Sequence, residues 1–142
     1  MLITKALSTQ DLGATVLRLA LGFMFIAHAQ LKLFTFGIAG TTEFFVNAGF
    51  PAWTVYPVIA AEIGGGVLLM LGVYSRWIAL ALLPILIGAL SVHIGNGWVF
   101  TAKGGGWEYP LFLIVLCVVQ TLVGDGAYAL RVFDTRQNSV GR

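Results

Sequence analysis

The chain has 142 residues, of which 58% are hydrophobic and only 10% charged, with a net charge of +2. Its mean hydropathy is +0.91. Soluble domains carry about a quarter charged residues, so these figures exclude a soluble globule, a disordered chain, a collagen and a disulfide scaffold. They leave a polytopic, all-α membrane protein with one domain over 1–142. The weak, dispersed charge also excludes nucleic-acid binding.

A bilayer span needs about 20 mostly apolar residues. Four segments qualify, at 12–34, 56–73, 77–94 and 110–127. They predict a transmembrane four-helix bundle. Lys5, the apolar stretch 16–26 and Ala27-His28-Ala29 imitate a secretory signal with a cleavage site, but Arg18 inside the stretch argues for a first span. Asp11 is placed to cap that helix. The first loop, 35–55, contains the amphipathic stretch Thr42-Glu43-Phe44-Phe45-Val46, expected as an interfacial half-helix, and then a turn at Asn47-Ala48-Gly49-Phe50-Pro51. In the second span Gly64-Gly65-Gly66 reads as a packing face. Gly72 and Gly124 suit helix ends, Pro84 lies inside the third span, and Pro110 fits a first helical turn.

Orientation follows the Lys/Arg bias. Lys5, Arg76, Arg131, Arg136 and Arg142 fall on the side of the N-terminus, second loop and C-terminus, against Lys103 and the span-end Lys32 on the other. Both termini are expected in the cytoplasm, and no organelle signal is present. The expectation is a multi-pass protein of a cell inner membrane.

Charged side chains at membrane depth are costly and are functional candidates by default. His28 and Lys32 in the first span, Glu62 in the second, His93 in the third and Glu108 at the entrance to the fourth all fall near the outer end. His28 and Lys32, four residues apart, share a helix face. These five are the candidate catalytic residues. Trp53, Trp98, Trp107 and Tyr109 reach the same side, where such aromatics suit a flat ligand, and Trp98 and Trp107 are the candidate contacts for a flat aromatic cofactor. Arg18 lies nearer the cytoplasmic end as a separate candidate, able to hold a carbonyl or a lipid phosphate.

A quinone ring needs donors at its carbonyl oxygens and groups that exchange protons. His28, His93 and Lys32 can donate, and Glu62 and Glu108 can pass protons. The alternative is a buried ionic network that fixes helix register. Two histidines also match an axial haem pair, but there is no C-x-x-C-H and no second pair, which disfavours haem. No H-x-x-E spacing supports a metal. The single cysteine, Cys117, forms no redox pair, so redox chemistry needs a cofactor or a partner. A proton pathway would need polar residues inward of Glu62, where only Arg18 stands.

The ordered pieces from Leu12 to Leu130 resemble the DoxX family of small four-helix membrane proteins. They are Arg18-Leu-Ala-Leu-Gly22-Phe-Met-Phe25, His28-Ala-Gln-Leu-Lys32, Phe44-Phe45 with Gly49-Phe50-Pro51, Ala61-Glu62-Ile-Gly64-Gly65 through Leu71-Gly72, Arg76, His93, and Gly106-Trp107-Glu108-Tyr109-Pro110 through Gly124-Asp125-Gly126. Where that family often has His-Gly before its lysine, this chain has His28-Ala29. The resemblance implies a membrane oxidoreductase subunit that meets quinone or quinol, since relatives are named as parts of quinol oxidases or thiosulfate:quinone oxidoreductases. The short chain lacks the added soluble domain expected of a sulfur-compound oxidase. The expected partners are the lipid bilayer, a quinone, a soluble redox subunit and a second copy of the chain. The competing expectation is a non-catalytic membrane anchor or assembly subunit.

Overall fold

The computed structural model describes residues 7–130, and every regular element among them is helical. Five α-helices follow in order: α1, Thr9–Gln30; α2, Gly37–Asn47; α3, Val55–Leu71; α4, Ser75–His93; and α5, Glu108–Val123. The stretches Thr9–Thr35, Ala52–Leu71 and Ser75–Asn96 are long and apolar enough to cross a bilayer. α5 is apolar but shorter, with 16 residues, about 24 Å at 1.5 Å per residue. The expected fourth span thus ends early: Gly124 caps α5, and the residues after it pack across the helix ends.

Local chemistry sets these boundaries. Ser8, not Asp11, is the N-cap of α1, its side chain accepting from the Asp11 N–H at 3.1 Å. Asp11 keeps the first-turn position where its charge meets the positive end of the helix. Past Gln30 the helix widens into a π-turn, Leu31–Thr35. The expected half-helix at 42–46 is the middle of the longer α2.

Large apolar side chains such as Val16, Phe23, Val67, Ile87, Phe112 and Leu122 point outward from the bundle. In water they would form a very large apolar patch, whereas in a bilayer they are the lipid-facing surface. Lipid is as apolar as these side chains, so close packing between helices has to supply the cohesion. α1 and α3 meet through Gly22 and Gly66: a Cβ on Gly22 would stand 2.5 Å from the Gly66 carbonyl oxygen, and one on Gly66 would stand 2.7 Å from that of Gly22. α4 and α5 form a second antiparallel pair, with Arg76 at the start of α4 donating to Leu122 O near the end of α5 at 3.4 Å. Between the pairs lies a core that includes Leu21, Phe25, Leu69, Leu82, Leu86, Leu113 and Cys117.

One end of the bundle is drawn together by Arg18, which is 1% exposed. Its guanidinium donates to the carbonyls of Asp125 at 2.9 Å, Leu69 at 3.3 Å, Ala127 at 2.8 Å, and Met70. The Asp125 carboxylate accepts the Ser75 N–H at 2.7 Å and caps α4 from across the bundle. Ala127 N–H reaches Asp11 O, and Leu130 N–H reaches Leu71 O. The start of α1, the α3–α4 turn and the residues after α5 therefore share one end. The loops 36–54 and 94–107 share the other. Lys5, Arg131, Arg136 and Arg142, four of the five cations behind the expected orientation, lie outside the described residues.

Of the three adjacent glycines, only Gly66 would bring a Cβ against the α1 backbone; a Cβ on Gly65 would meet Leu82, and one on Gly64 would meet no neighbouring element within 4 Å. Thermal unfolding in detergent should separate them. Gly66→Val is expected to lose about 2 kcal/mol by overpacking. Gly64→Ala should be neutral or slightly stabilising. Equal midpoints for the two variants would show that the α1–α3 approach does not depend on Gly66.

Candidate functional site

At the loop end the two helix pairs part around a cavity of about 960 Å³. Its walls are largely apolar, with Phe25, Phe44, Phe45, Phe50, Val58, Leu86 and Leu113 among them. α2 and the turn after it contribute Gly40, Thr41, Phe44, Phe45 and Phe50, so the first loop covers the cavity. The polar lining is His28, Lys32, Thr35, Thr41, Thr54, Glu62, His93 and Tyr109.

The strongest polar contact is the ion pair of Lys32 with Glu62. Lys32 Nζ donates to Oε1 at 2.7 Å and to Oε2 at 2.9 Å. The Glu62 side chain is 4% exposed and that of Lys32 17%. Neither charge would be tolerated alone at this depth, and together they are neutral. Lys32 sits in the π-turn, where Thr41 Oγ1 donates to its carbonyl at 3.0 Å and ties α2 to α1. π-turns interrupt the regular i to i−4 ladder and are frequent at functional sites.

His28 lies one helical turn before Lys32 and lines the same cavity, as their spacing predicts. Its Nδ1 is 2.8 Å from Met24 O. Its ring stacks on Tyr109, with centroids 5.9 Å apart and planes at 22°. The Tyr109 hydroxyl donates to Met24 Sδ at 3.6 Å. His93 comes from the end of α4, and its Nδ1 is 3.0 Å from Gly104 O and 3.1 Å from Gly105 O. Asn96 Nδ2 donates to the same two carbonyls at 3.0 and 2.9 Å. Both glycines have positive φ, 84° and 81°, a backbone that other residues rarely adopt.

A carbonyl oxygen can only accept, so Nδ1 of each histidine carries the proton. In a neutral imidazole Nε2 is then the lone pair. The expectation that both histidines donate to a ligand is thus corrected in one respect: the N–H of each neutral ring is already engaged by backbone.

Four expected site residues therefore come together, namely His28, Lys32, Glu62 and His93. Four do not line the cavity. Glu108 Oε1 accepts the Phe100 N–H at 2.8 Å. Trp98 and Trp107 meet edge to face with centroids 4.5 Å apart. These three fasten the loop 94–107 to itself, helped by Trp107 N–H to Gly97 O and Glu108 N–H to Trp98 O. Arg18 lies at the opposite end, holding carbonyls as one of its expected roles required. Sequence reasoning brings Tyr109, one residue past Glu108 and just before Pro110, to the site's side among aromatics that suit a flat ligand, but does not single it out as a contact. Depth placed it correctly, but an aromatic at a span end reads first as an interface anchor. Nothing in the pattern of 42–46 distinguishes a cover over a cavity from a helix lying on the membrane.

A family model described as DoxX matches residues 13–95, more than half of the chain. That stretch contains all four of the expected residues that line the cavity, and neither Trp98, Trp107 nor Glu108. The chain is 29% identical over 124 residues to the protein named "Putative oxidoreductase CatD" from Bacillus subtilis (strain 168), covering 87% of each. No solved structure matches.

Removing one member of the buried pair should cost far more than removing both. Lys32→Met and Glu62→Leu are each expected to destabilise by about 3 kcal/mol or more. The double variant Lys32→Met/Glu62→Leu should recover most of that loss in the same detergent unfolding assay. Additive losses in the double variant would show that the two side chains are not energetically coupled.

Proposed function

This chain belongs to the DoxX family, and on that ground we propose that it is a membrane oxidoreductase subunit that takes a quinone or quinol in the cavity between its helix pairs. The named oxidoreductase among its relatives supports the first half of this reading. The cavity supports the second, because apolar walls and a compact polar head occur in one space. Ligand sites are commonly concave and mostly apolar, with a few placed polar groups that fix orientation.

The chain's own residues divide the work. Phe25, Phe44, Phe45 and Phe50 exclude water and accommodate an apolar ring. Tyr109 holds His28 by stacking. Lys32 and Glu62 set a polar but neutral floor. His28 and His93 are the groups suited to exchange protons near neutral pH. A bound quinone would supply the electron-carrying chemistry that these side chains lack, since Cys117 is buried in the core. In this reading the bundle spans an inner membrane four times with both termini in the cytoplasm. The cavity then lies in the outer half, and electrons are exchanged with a separate redox subunit. The open face beside Gly64 on α3 suits association between two copies.

The test is purification in mild detergent followed by solvent extraction and quinone analysis. Wild type should carry about one quinone per chain, or bind added short-tailed quinone saturably. Gly88→Leu should lose this binding while keeping its unfolding midpoint. Gly88 lines the cavity, and a Cβ there meets only Phe50 Cζ, at 3.7 Å. If wild type neither retains nor binds quinone, the reading fails and the anchor role replaces it.

A further inference from the structure

The polar groups around the cavity are unequal in what they have left to offer. Consider first the donors. The Tyr109 hydroxyl is directed at Met24 Sδ, Thr41 Oγ1 at Lys32 O, and Thr54 Oγ1 at Pro51 O. Two of the three Lys32 donors are engaged by Glu62, which leaves one, and the Thr35 hydroxyl makes no hydrogen bond among the described residues. The Nδ1 protons of His28 and His93 are engaged by backbone carbonyls.

Now consider the acceptors. Nε2 of His28 and Nε2 of His93 make no hydrogen bond among the described residues, and neither is a sealed-off buried atom. Each belongs to a side chain that lines the cavity, from a different helix. The Glu62 oxygens also have lone pairs beyond those used by Lys32. These lone pairs outnumber the two donors left over, the third Lys32 N–H and the Thr35 hydroxyl, and what His28 itself presents to the cavity is an acceptor.

From this imbalance we infer that the cavity selects the hydroxyl-bearing, reduced form of an aromatic ligand, with His28 Nε2 as the acceptor of a ring O–H. This inference rests on the proposed quinone or quinol site and specifies which form it prefers and which atom decides. A ring hydroxyl satisfies an imidazole lone pair and is satisfied by it. A quinone carbonyl placed there would set acceptor against acceptor and leave both without a partner in an apolar enclosure, which is the costly outcome. Discrimination by one polar group of this kind can be large, because a site built to bond a hydroxyl rejects an analogue that lacks it. The His28 ring is held for this role by the Met24 carbonyl on one edge and by the Tyr109 ring on its face. His28 is thus a specificity-determining residue.

The experiment is equilibrium binding to the purified full chain in detergent, with three probes of one skeleton. They are a decyl-tailed 1,4-benzoquinol kept reduced under anaerobic conditions, the corresponding quinone, and the quinol's dimethyl ether. Wild type should bind the quinol at least about tenfold more tightly than either of the others, a difference of about 1.4 kcal/mol. In His28→Phe the ratio of quinol to quinone affinity should fall from at least about tenfold to about one. The wild-type comparison stands on its own if the variant fails to fold. As a second readout, the 15N signal of His28 Nε2 should shift on adding the quinol and not on adding the ether. Saturable binding with quinone equal to or tighter than quinol would overturn the inference and leave the quinone-site reading intact. Saturable binding of none of the three would overturn both.

Discussion

A guanidinium inside a membrane bundle has no water to turn to, and the position of Arg18 follows from that constraint. Its donors reach four backbone carbonyls, two at the end of α3 and two beyond α5. The last carbonyls of a helix lack intrahelical partners and sit at the negative end of the dipole, so a cation there is favourable twice over. The same residue thus solves its own burial and closes one end of the fold. Asp125 completes the closure, since its backbone meets Arg18 while its carboxylate caps α4. With α1, α3, α4 and the residues after α5 fixed together there, separation of the two helix pairs is left to the other end.

The other end meets the same constraint by another route. Lys32 and Glu62 neutralise each other with both carboxylate oxygens engaged, which removes net charge but keeps polarity beside an apolar space. Arg18 is surrounded by carbonyls and closed off. The Lys32–Glu62 pair faces a cavity, shares it with two histidines, and is covered by α2 instead of being packed by core side chains. A pair that served only to fix register would be expected in the packed interior, where Leu21, Leu69 and Leu82 lie. Its place at the cavity wall sets it apart from the packed core.

Much of this was legible in the sequence. Hydropathy alone located three helices long and apolar enough to cross a bilayer and a shorter fourth, and charge depth gathered His28, Lys32, Glu62 and His93 at one end. The same argument admitted Glu108, Trp98 and Trp107, which are at that end but spend themselves on the loop. Depth is a one-dimensional coordinate; it follows from 1.5 Å per residue and says nothing of helix rotation. Lys32 and Glu62 were within reach as a pair because opposite charges at equal depth have few other options. Tyr109 had no such complement, and its role depends on a stacking contact with a side chain 81 positions earlier in the chain. The π-turn at Leu31–Thr35 was not legible either, since LKLFT continues an apolar helical pattern without a break.

The least legible feature was also the most consequential for chemistry. A histidine in a sequence is both a donor and an acceptor, and composition cannot say which edge is free. Here the backbone decides. Met24 O and the carbonyls of Gly104 and Gly105 each bind an Nδ1 edge, and carbonyls accept only. The loop 94–107 is therefore more than a connection between α4 and α5, because the two positive-φ glycines that shape it also fix the protonated edge of His93. The polarity of the cavity is in this sense a property of the main chain, imposed on side chains whose identities alone would have suited either redox form of a ring. A fold that offered Nδ1 a hydroxyl, which can donate as well as accept, would leave the tautomer open, and with it the preference.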